Sequence, residues 1–404
     1  MKPKKVIIVG GGVSGLVTAL NCQKRGYETH IFEATDRTGG RIATDIINGV
    51  ICDRGFQVLL TAYPLAKKYL NYKNLNLHYY NTGAVIWTGK GFKEIHHPLR
   101  HIWAALPTLL GRSISYPDQW RVLQWVIRIM RVSSSEALLK IPDISSYDYL
   151  NTLGVSKPLL RQFLMPFFRG VLLDESLQTS CRLLAYYLYY FIIGKVAVPH
   201  HGIAEIPKQL TDQLTNVRIH YNESICEASA TEVMSQDQTF SADHVIITTD
   251  SRSASQLLNT EVPQTQQVYT IYFLSETMLI KQKSLILNGS EQGVITHLTM
   301  PSLFNQNITN GKHVVCVTVV SQKEWLKANL VKQVLTELMQ WFNCNEGAFE
   351  LIQYYKIKNA LPQQRQLYNI TKTHTGISLG GDWTATGSLQ GAMQSGELAV
   401  QQLS

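Results

Sequence analysis

Clustered cysteine is missing from this sequence. Cys22, Cys52, Cys181, Cys226, Cys316 and Cys344 are scattered, with no C-x-x-C pair and no metal-ligand spacing. That argues against a dithiol or a zinc site, fits a reduced, cytosolic setting, and leaves each cysteine as a small core residue. Charge is also sparse: 16% of 404 residues are charged, against 45% hydrophobic. No apolar run is long enough for a transmembrane helix. No basic stretch interleaved with aromatics points to nucleic acid. There is no internal repeat, no low-complexity segment and no Ser/His/Asp set. Lys2, Lys4 and Lys5 before an apolar stretch imitate a signal peptide, but no small-x-small cleavage site follows cleanly. What is left is a chain long enough for a sizeable core and two domains. Lys and Arg outnumber Asp and Glu by 37 to 29, a net +8. That excess suits an anionic membrane surface, an acidic substrate or a plain solvated basic face.

The informative stretch is Lys5 to Arg41. Lys5-Val6-Ile7-Ile8-Val9 reads as a buried parallel strand. It runs into Gly10-Gly11-Gly12-Val13-Ser14-Gly15, which fits G-x-G-x-x-G, and then into a helix from Leu16 to Arg25 that stops at Gly26. A second strand, Glu28 to Phe32, ends at Glu33 and Ala34. Gly10 permits a tight turn, Gly12 lets backbone approach a pyrophosphate, and Gly15 lets the helix pack close to the strand. The helix N-terminus offers N–H groups and partial positive charge to phosphates. Glu33 can accept from ribose hydroxyls, which favours a free 2′-OH. These parts together predict a dinucleotide site. Arg37, Gly39, Gly40 and Arg41 follow at once, a glycine pair between two arginines, with cationic donors for phosphate oxygens.

In this arrangement Lys5 to Arg41 resembles the flavin-dependent amine oxidase, protoporphyrinogen oxidase and phytoene desaturase superfamily. The far end of the chain agrees: Gly380-Gly381-Asp382 ends a short strand, and Gly387-Ser388-Leu389-Gln390-Gly391-Ala392 starts the last helix. That resembles the superfamily's terminal flavin motif. The resemblance implies an α/β fold: a Rossmann-type, glutathione-reductase-like FAD-binding domain with an interleaved α+β substrate domain. It implies FAD as cofactor. Asp382 would hydrogen-bond the ribityl chain or a phosphate-side hydroxyl. N–H groups from Gln390 to Met393, beside Ser388, Leu389 and Ala392, would face the pyrimidine edge of the flavin. Gly55, Phe56 and Gln57 would lie near the isoalloxazine ring, and a backbone segment near Ile225 would hold the adenine. Alternatively, Gly55 is only a turn and Phe56 only a core residue. The expected division is 1–75, 197–258 and 350–404 for the FAD domain, with 76–196 and 259–349 for the substrate domain.

Between the motifs the pattern is coarser. Asn48-Gly49 marks a hairpin between Thr44–Ile47 and Val50–Asp53, and Gly89-Lys90-Gly91 another between Val85–Trp87 and Phe92–His96. Gln119 to Arg131 is a basic amphipathic helix, with Arg121, Gln124, Arg128 and Arg131 on one face and Val122, Leu123, Val126, Ile127 and Met130 on the other. It is either a packed helix with a solvated basic face or a membrane-surface helix. Phe163 to Val171 and Leu183 to Gly194 suit either core packing or a pocket for an apolar ligand. A helix is expected at Lys208–Leu214, strands at Val217–Ile225 and Ala242–Thr248, and a helix at Lys323–Phe342 with Leu326, Leu330, Val334, Leu338 and Trp341 on one stripe. The consecutive strands between Val268 and Val320 indicate an antiparallel sheet. His200-His201 supplies either a structural histidine or a functional histidine near the flavin.

The reaction expected from the resemblance is hydride transfer from a large apolar substrate to flavin N5. No second G-x-G-x-x-G unit suggests a dedicated NAD(P)H domain, so oxygen, a quinone or a diffusible acceptor would reoxidise the flavin. The rivals are an amine oxidase and a non-catalytic binder of the dissociation-inhibitor type. The amine reading is weakened because Ser388 stands where amine oxidases often carry an aromatic. No cysteine lies near Ala360-Leu361-Pro362 or the terminal motif to attach the flavin covalently. Glu33, Arg41 and Asp382 argue against the binder.

Overall fold

The computed structural model describes residues 3–96, 114–131, 138, 140–304, 311–365 and 373–403. Parts of the expected 76–196 insert, at 97–113, 132–137 and 139, lie outside the described residues. The apolar strand Lys5–Val9 sits inside a six-stranded sheet. It pairs in parallel with Glu28–Phe32 on one side and His244–Ile247 on the other. Val217–His220 and Ile377–Leu379 extend the parallel set outward, and Thr373–His374 adds an antiparallel edge. Strands buried on both faces read as unbroken apolar runs, which is how this Rossmann-type sheet shows in the sequence.

The helix Val13–Lys24 packs against the last helix, Leu389–Gln401, and glycine permits the contact. A Cβ on Gly396 would lie 2.5 Å from the Ser14 carbonyl oxygen, and, where the helix meets its own strand, one on Gly15 would lie 2.0 Å from that of Gly10. No side chain fits there without moving backbone. Ser14 Oγ and Ser395 Oγ are 2.9 Å apart across the joint.

The second sheet has seven strands, in the order Phe349–Pro362, Thr265–Ser275, His313–Val320, His297–Thr299, Leu285–Asn288, Gly83–Trp87 and Phe92–His96. Neighbours are antiparallel except Leu285–Asn288 with Gly83–Trp87. Alternation puts Tyr269, Ile271 and Phe273 in a core with Leu330, Val334, Leu338 and Trp341 of the helix Lys327–Phe342. The opposite face packs on the hairpin Thr44–Ile47 and Val50–Asp53, where the Tyr272 hydroxyl donates to the Asp53 carbonyl at 3.0 Å. A third core, around Trp125, Phe168, Leu183 and Leu184, belongs to the helices between the hairpin and Ile193.

Several boundaries differ from the sequence expectation. The strand expected at Val217–Ile225 stops at His220, because Asn222 turns left-handed (φ 56°). The Asn222 and Glu223 N–H groups instead donate to the carbonyls of Thr35 and Glu33. Ile225 opens a separate antiparallel sheet of Ile225–Ala228, Glu232–Ser235 and Thr239–Ser241, which sequence reasoning missed. The helix expected at Lys208–Leu214 runs Glu205–Thr211, with Pro207 in its first turn, where no helical N–H is needed. The helix expected from Lys323 begins at Lys327, and Leu326 is exposed rather than part of the buried stripe. Cys226 is exposed rather than a core residue. Phe349–Pro362 pairs along its length with Thr265–Ser275, although most of it falls in the segment 350–404 expected for the FAD domain.

Candidate active site

One cavity of about 1560 Å³ runs between the two sheets. Its first end is formed where Lys5–Val9 stops and the helix Val13–Lys24 begins: Gly10, Gly12, Val13 and Ser14 line it, with Glu33, Ala34, Gly39, Gly40 and Arg41 beside them. Gly55, Phe56, Gln57, Ile225, Gly381, Asp382, Ser388, Leu389 and Ala392 also line it. Of the expected site residues, Gly15, Arg37 and Gln390 do not. Gly15 is used where the helix packs against the Gly10 turn and Thr248. The Arg37 guanidinium bonds the carbonyls of Thr38 and Gly40 at 3.2 and 3.0 Å, so it braces the glycine pair. Gln390 Oε1 accepts from the Leu65 N–H at 2.9 Å.

Glu33 is 7% exposed and already organised. Its Oε2 accepts from the Gly11 N–H at 2.8 Å, and its Oε1 accepts from the Thr35 N–H and hydroxyl at 3.0 and 2.7 Å. Arg41 reaches across the cavity. It donates to Asp382 Oδ1 at 2.5 Å and to the Ala360 carbonyl at 2.9 Å. Burial works against its charge, but Asp382 holds its pKa above the ordinary arginine value. At the terminal helix, Ser388 Oγ accepts from the Gly391 N–H and the Ser388 carbonyl from the Ala392 N–H. Of the N–H groups expected to face the flavin, those two are therefore used within the helix.

The residues at this end fit an ADP-type group. The helix Val13–Lys24 starts at Gly12 with no side-chain cap, so its first N–H groups face the cavity. A Cβ on Gly12 would meet nothing within 4 Å, so there is open space beside that backbone. An anion approaching it meets dipole and donors together.

Residues 13–404 match the family model described as flavin containing amine oxidoreductase. The chain belongs to that family. Its cofactor is FAD. Among curated relatives, it is 45% identical over 56 residues to 4,4'-diapolycopen-4-al dehydrogenase of Metabacillus indicus, covering 14% of this chain and 11% of that protein. It is 24% identical over 284 residues to the L-amino acid oxidase of Bothrops pictus, covering 63% of this chain and 54% of that one. The family member thus spans less than two thirds of each. An oxidoreductase structure from Methanosarcina mazei superposes with a TM-score of 0.79 at 17% identity, covering 98% and 100% of the two chains, and so shows the same fold.

Beyond the cradle the cavity widens into an apolar arm. Phe163, Phe167, Val171, Leu188, Phe191 and Ile192 line it, from the two segments that sequence left open between core and pocket. They serve as both: Leu184 lies in the core, Phe168 belongs to the core and also lines the cavity, and the six lining residues pack against that same core. The four carboxylates in the described lining, Glu33, Glu223, Asp250 and Asp382, belong to the cradle side, and no described lysine lines the cavity. Trp120 and Leu123 line the mouth while 61% and 46% exposed. The helix that carries them, Tyr116–Met130, buries Trp125 and Ile129. It leaves Trp120, Leu123, Ile127 and Met130 exposed beside Arg121, Arg128 and Arg131. The expected division into one packed apolar face and one solvated basic face does not hold.

His200 and His201 do not line the cavity; His200 Nδ1 lies 2.7 Å from His78 Nε2. The histidine that does line it is His297, which sequence reasoning passed over within a strand. A lone imidazole in the run Ile295-Thr296-His297-Leu298-Thr299-Met300 was the available signal. Among the described residues no group of three or more His, Cys, Asp or Glu can hold a metal ion. No described helix is long and apolar enough to cross a membrane.

Proposed function

We propose that this chain is an FAD-dependent oxidoreductase of the desaturase or oxidase type, acting on a large, mostly apolar substrate. The apolar arm carries the proposal: it opens directly off the cradle and, among the described residues, presents aromatic and aliphatic side chains without a carboxylate or lysine. Bound FAD supplies an acceptor for a hydride equivalent from a substrate C–H bond. In this reading the chain's own residues bind and orient. Glu33 holds the ribose hydroxyls, and the N-terminus of the helix Val13–Lys24 with Gly12 holds the pyrophosphate. Asp382, anchored by Arg41, holds the ribityl side, and Gly55 to Gln57 with Ser388 and Leu389 bracket the ring. Phe163, Phe167 and Phe191 exclude water and gain from buried area, about 25 cal/mol per Å² before association costs.

The exposed face of the helix Tyr116–Met130 supports a membrane-surface mouth. Its tryptophan and leucine would enter the headgroup region, with Arg121, Arg128 and Arg131 toward anionic lipid. An apolar substrate dissolved in the bilayer would then enter beside Trp120.

The flavin is expected to be non-covalent: Cys226 is the only cysteine in the described lining, and it sits beside Ile225, away from the terminal helix. Acid precipitation should release FAD into the supernatant. The test of function is flavin bleaching under argon against polyenes, porphyrinogens and amines, with and without anionic liposomes. Bleaching by apolar substrates, faster with liposomes, is expected. Bleaching by amines alone would transfer the chain to the amine oxidase reading, which the long match to an L-amino acid oxidase keeps in view.

A further inference from the structure

The apolar arm contains a small polar island. In the antiparallel register Thr270 faces Thr318, and Thr318 faces His297, so three adjacent strands place these side chains in a row on one face of the sheet. They are 0%, 1% and 2% exposed. Neither ring nitrogen of His297 has a hydrogen-bond partner among the described residues, nor do the hydroxyls of Thr318, Thr270 and nearby Thr82. His297, Thr318 and Thr82 all line the cavity. Buried polar side chains are nearly always hydrogen-bonded in native proteins, so a row of such atoms in an apolar chamber calls for a ligand.

The placement of His297 points the same way. Its ring stands edge-on to Phe56 at 5.0 Å, and Phe56 belongs to the segment at the flavin end of the cavity. It also abuts Gly170 so closely that a Cβ there would lie 2.8 Å from Nδ1. The ring therefore touches both the helix Met165–Leu172 and the Phe56 side chain. Burial lowers the imidazole pKa to about 3, and no carboxylate offsets it. A neutral imidazole presents one donor and one acceptor, and a threonine hydroxyl presents both.

Resting on the apolar-substrate reading above, we propose that His297 and Thr318 bind a neutral oxygen function, a hydroxyl or carbonyl, on an otherwise apolar substrate. They position that oxygen beside the Phe56 end of the cavity and discriminate against the plain hydrocarbon. A charged amine or carboxylate gains no ion pair there, because among the described residues no opposite charge acts on His297.

The test uses the FAD-loaded full chain and a matched set: geranylgeraniol, geranylgeranial and the C20 polyene hydrocarbon lacking the oxygen. Binding is read from perturbation of the flavin absorbance spectrum. The wild type should bind the oxygenated pair about three- to tenfold more tightly than the hydrocarbon, the gain of one net hydrogen bond. His297→Phe and the near-isosteric Thr318→Val should remove that preference while leaving hydrocarbon affinity in place. His297→Gln should restore part of it. Retention of FAD with an unchanged spectrum shows that each variant is folded, and Thr318→Val serves if His297→Phe is not. Equal affinities for alcohol, aldehyde and hydrocarbon in the wild type would overturn the proposal and leave the apolar-substrate reading standing. The same holds if the preference survives both variants. If no member of the set perturbs the flavin, both readings fall.

Discussion

Replacing Glu33 tests the cradle most directly, and its geometry gives the size of the effect. Three donors already converge on the carboxylate: the Gly11 N–H at 2.8 Å, the Thr35 N–H at 3.0 Å and the Thr35 hydroxyl at 2.7 Å. They fix its rotamer before any ligand arrives, so ribose hydroxyls would meet a preorganised anion. A hydrogen bond to a charged group contributes about 1.5–3 kcal/mol, so Glu33→Ala should raise the FAD dissociation constant roughly ten- to hundredfold. The same three bonds give Glu33 a structural share. Its loss also leaves the Gly11 N–H without its acceptor, at a cost of about 1–3 kcal/mol where water does not replace it. FMN separates the two effects, because it lacks the adenosine half. Fluorescence quenching titrations with FAD and FMN should show Glu33→Ala weakening FAD strongly and FMN little. An unchanged FAD constant would refute the ribose assignment. Equal losses for both flavins would show that Glu33 only props the glycine turn.

Further outcomes follow from the same structure. Asp53 is held by the Thr44 hydroxyl and the Ile203 N–H, both on Oδ1, and burial pushes its pKa from 3.8 to about 6. The folded state therefore keeps a proton that the unfolded state has lost, and stability should fall by up to roughly 3 kcal/mol as pH rises from about 4 to 6. Asp53→Asn keeps the acceptor oxygen and should flatten that slope in pH-dependent thermal melts; identical slopes would refute the assignment. Gly396→Val sets a side chain 2.5 Å from the Ser14 carbonyl oxygen, so it should lower the melting temperature and release FAD together, measured by differential scanning fluorimetry and flavin fluorescence. Leu330→Ala, fully buried between the second sheet and its helix, should cost about 2–5 kcal/mol in urea unfolding while leaving the FAD spectrum intact.

What was legible in the sequence was what short-range chemistry decides. The strands of both sheets show as apolar runs, the Asn48-Gly49 hairpin through its turn residues, and the cradle through glycines whose spacing admits few other uses. What was not legible depended on partners distant in the chain. His220 ends its strand because Thr35 and Glu33 capture the next N–H groups, and nothing in the local sequence marks that exchange. Arg37 and Arg41 look alike in sequence, yet one braces backbone carbonyls and the other spans the cavity to Asp382. The helix Tyr116–Met130 shows its apolar stripe plainly, but which face is covered depends on the helices beside it. His297 escaped notice because a strand position carries no hint of an empty neighbour.

The joint between the helices Val13–Lys24 and Leu389–Gln401 has a consequence for biosynthesis. Ser14 meets Ser395, and the Gly381 N–H donates to both hydroxyls at 2.9 and 3.0 Å, so one wall of the cradle is made by residues far downstream of the glycine turn. A nascent chain carrying Lys5 to Arg41 has the glycine turn but not the wall that closes it. Cofactor capture must therefore wait until the segment Gly381 to Gly396 has been made, and until then the helix Val13–Lys24 exposes the small residues that later seat Gly396. Such a chain folds by a contact of very long sequence separation, which is slow to form. Flavin supply would then act late, by trapping the closed form rather than guiding the chain toward it.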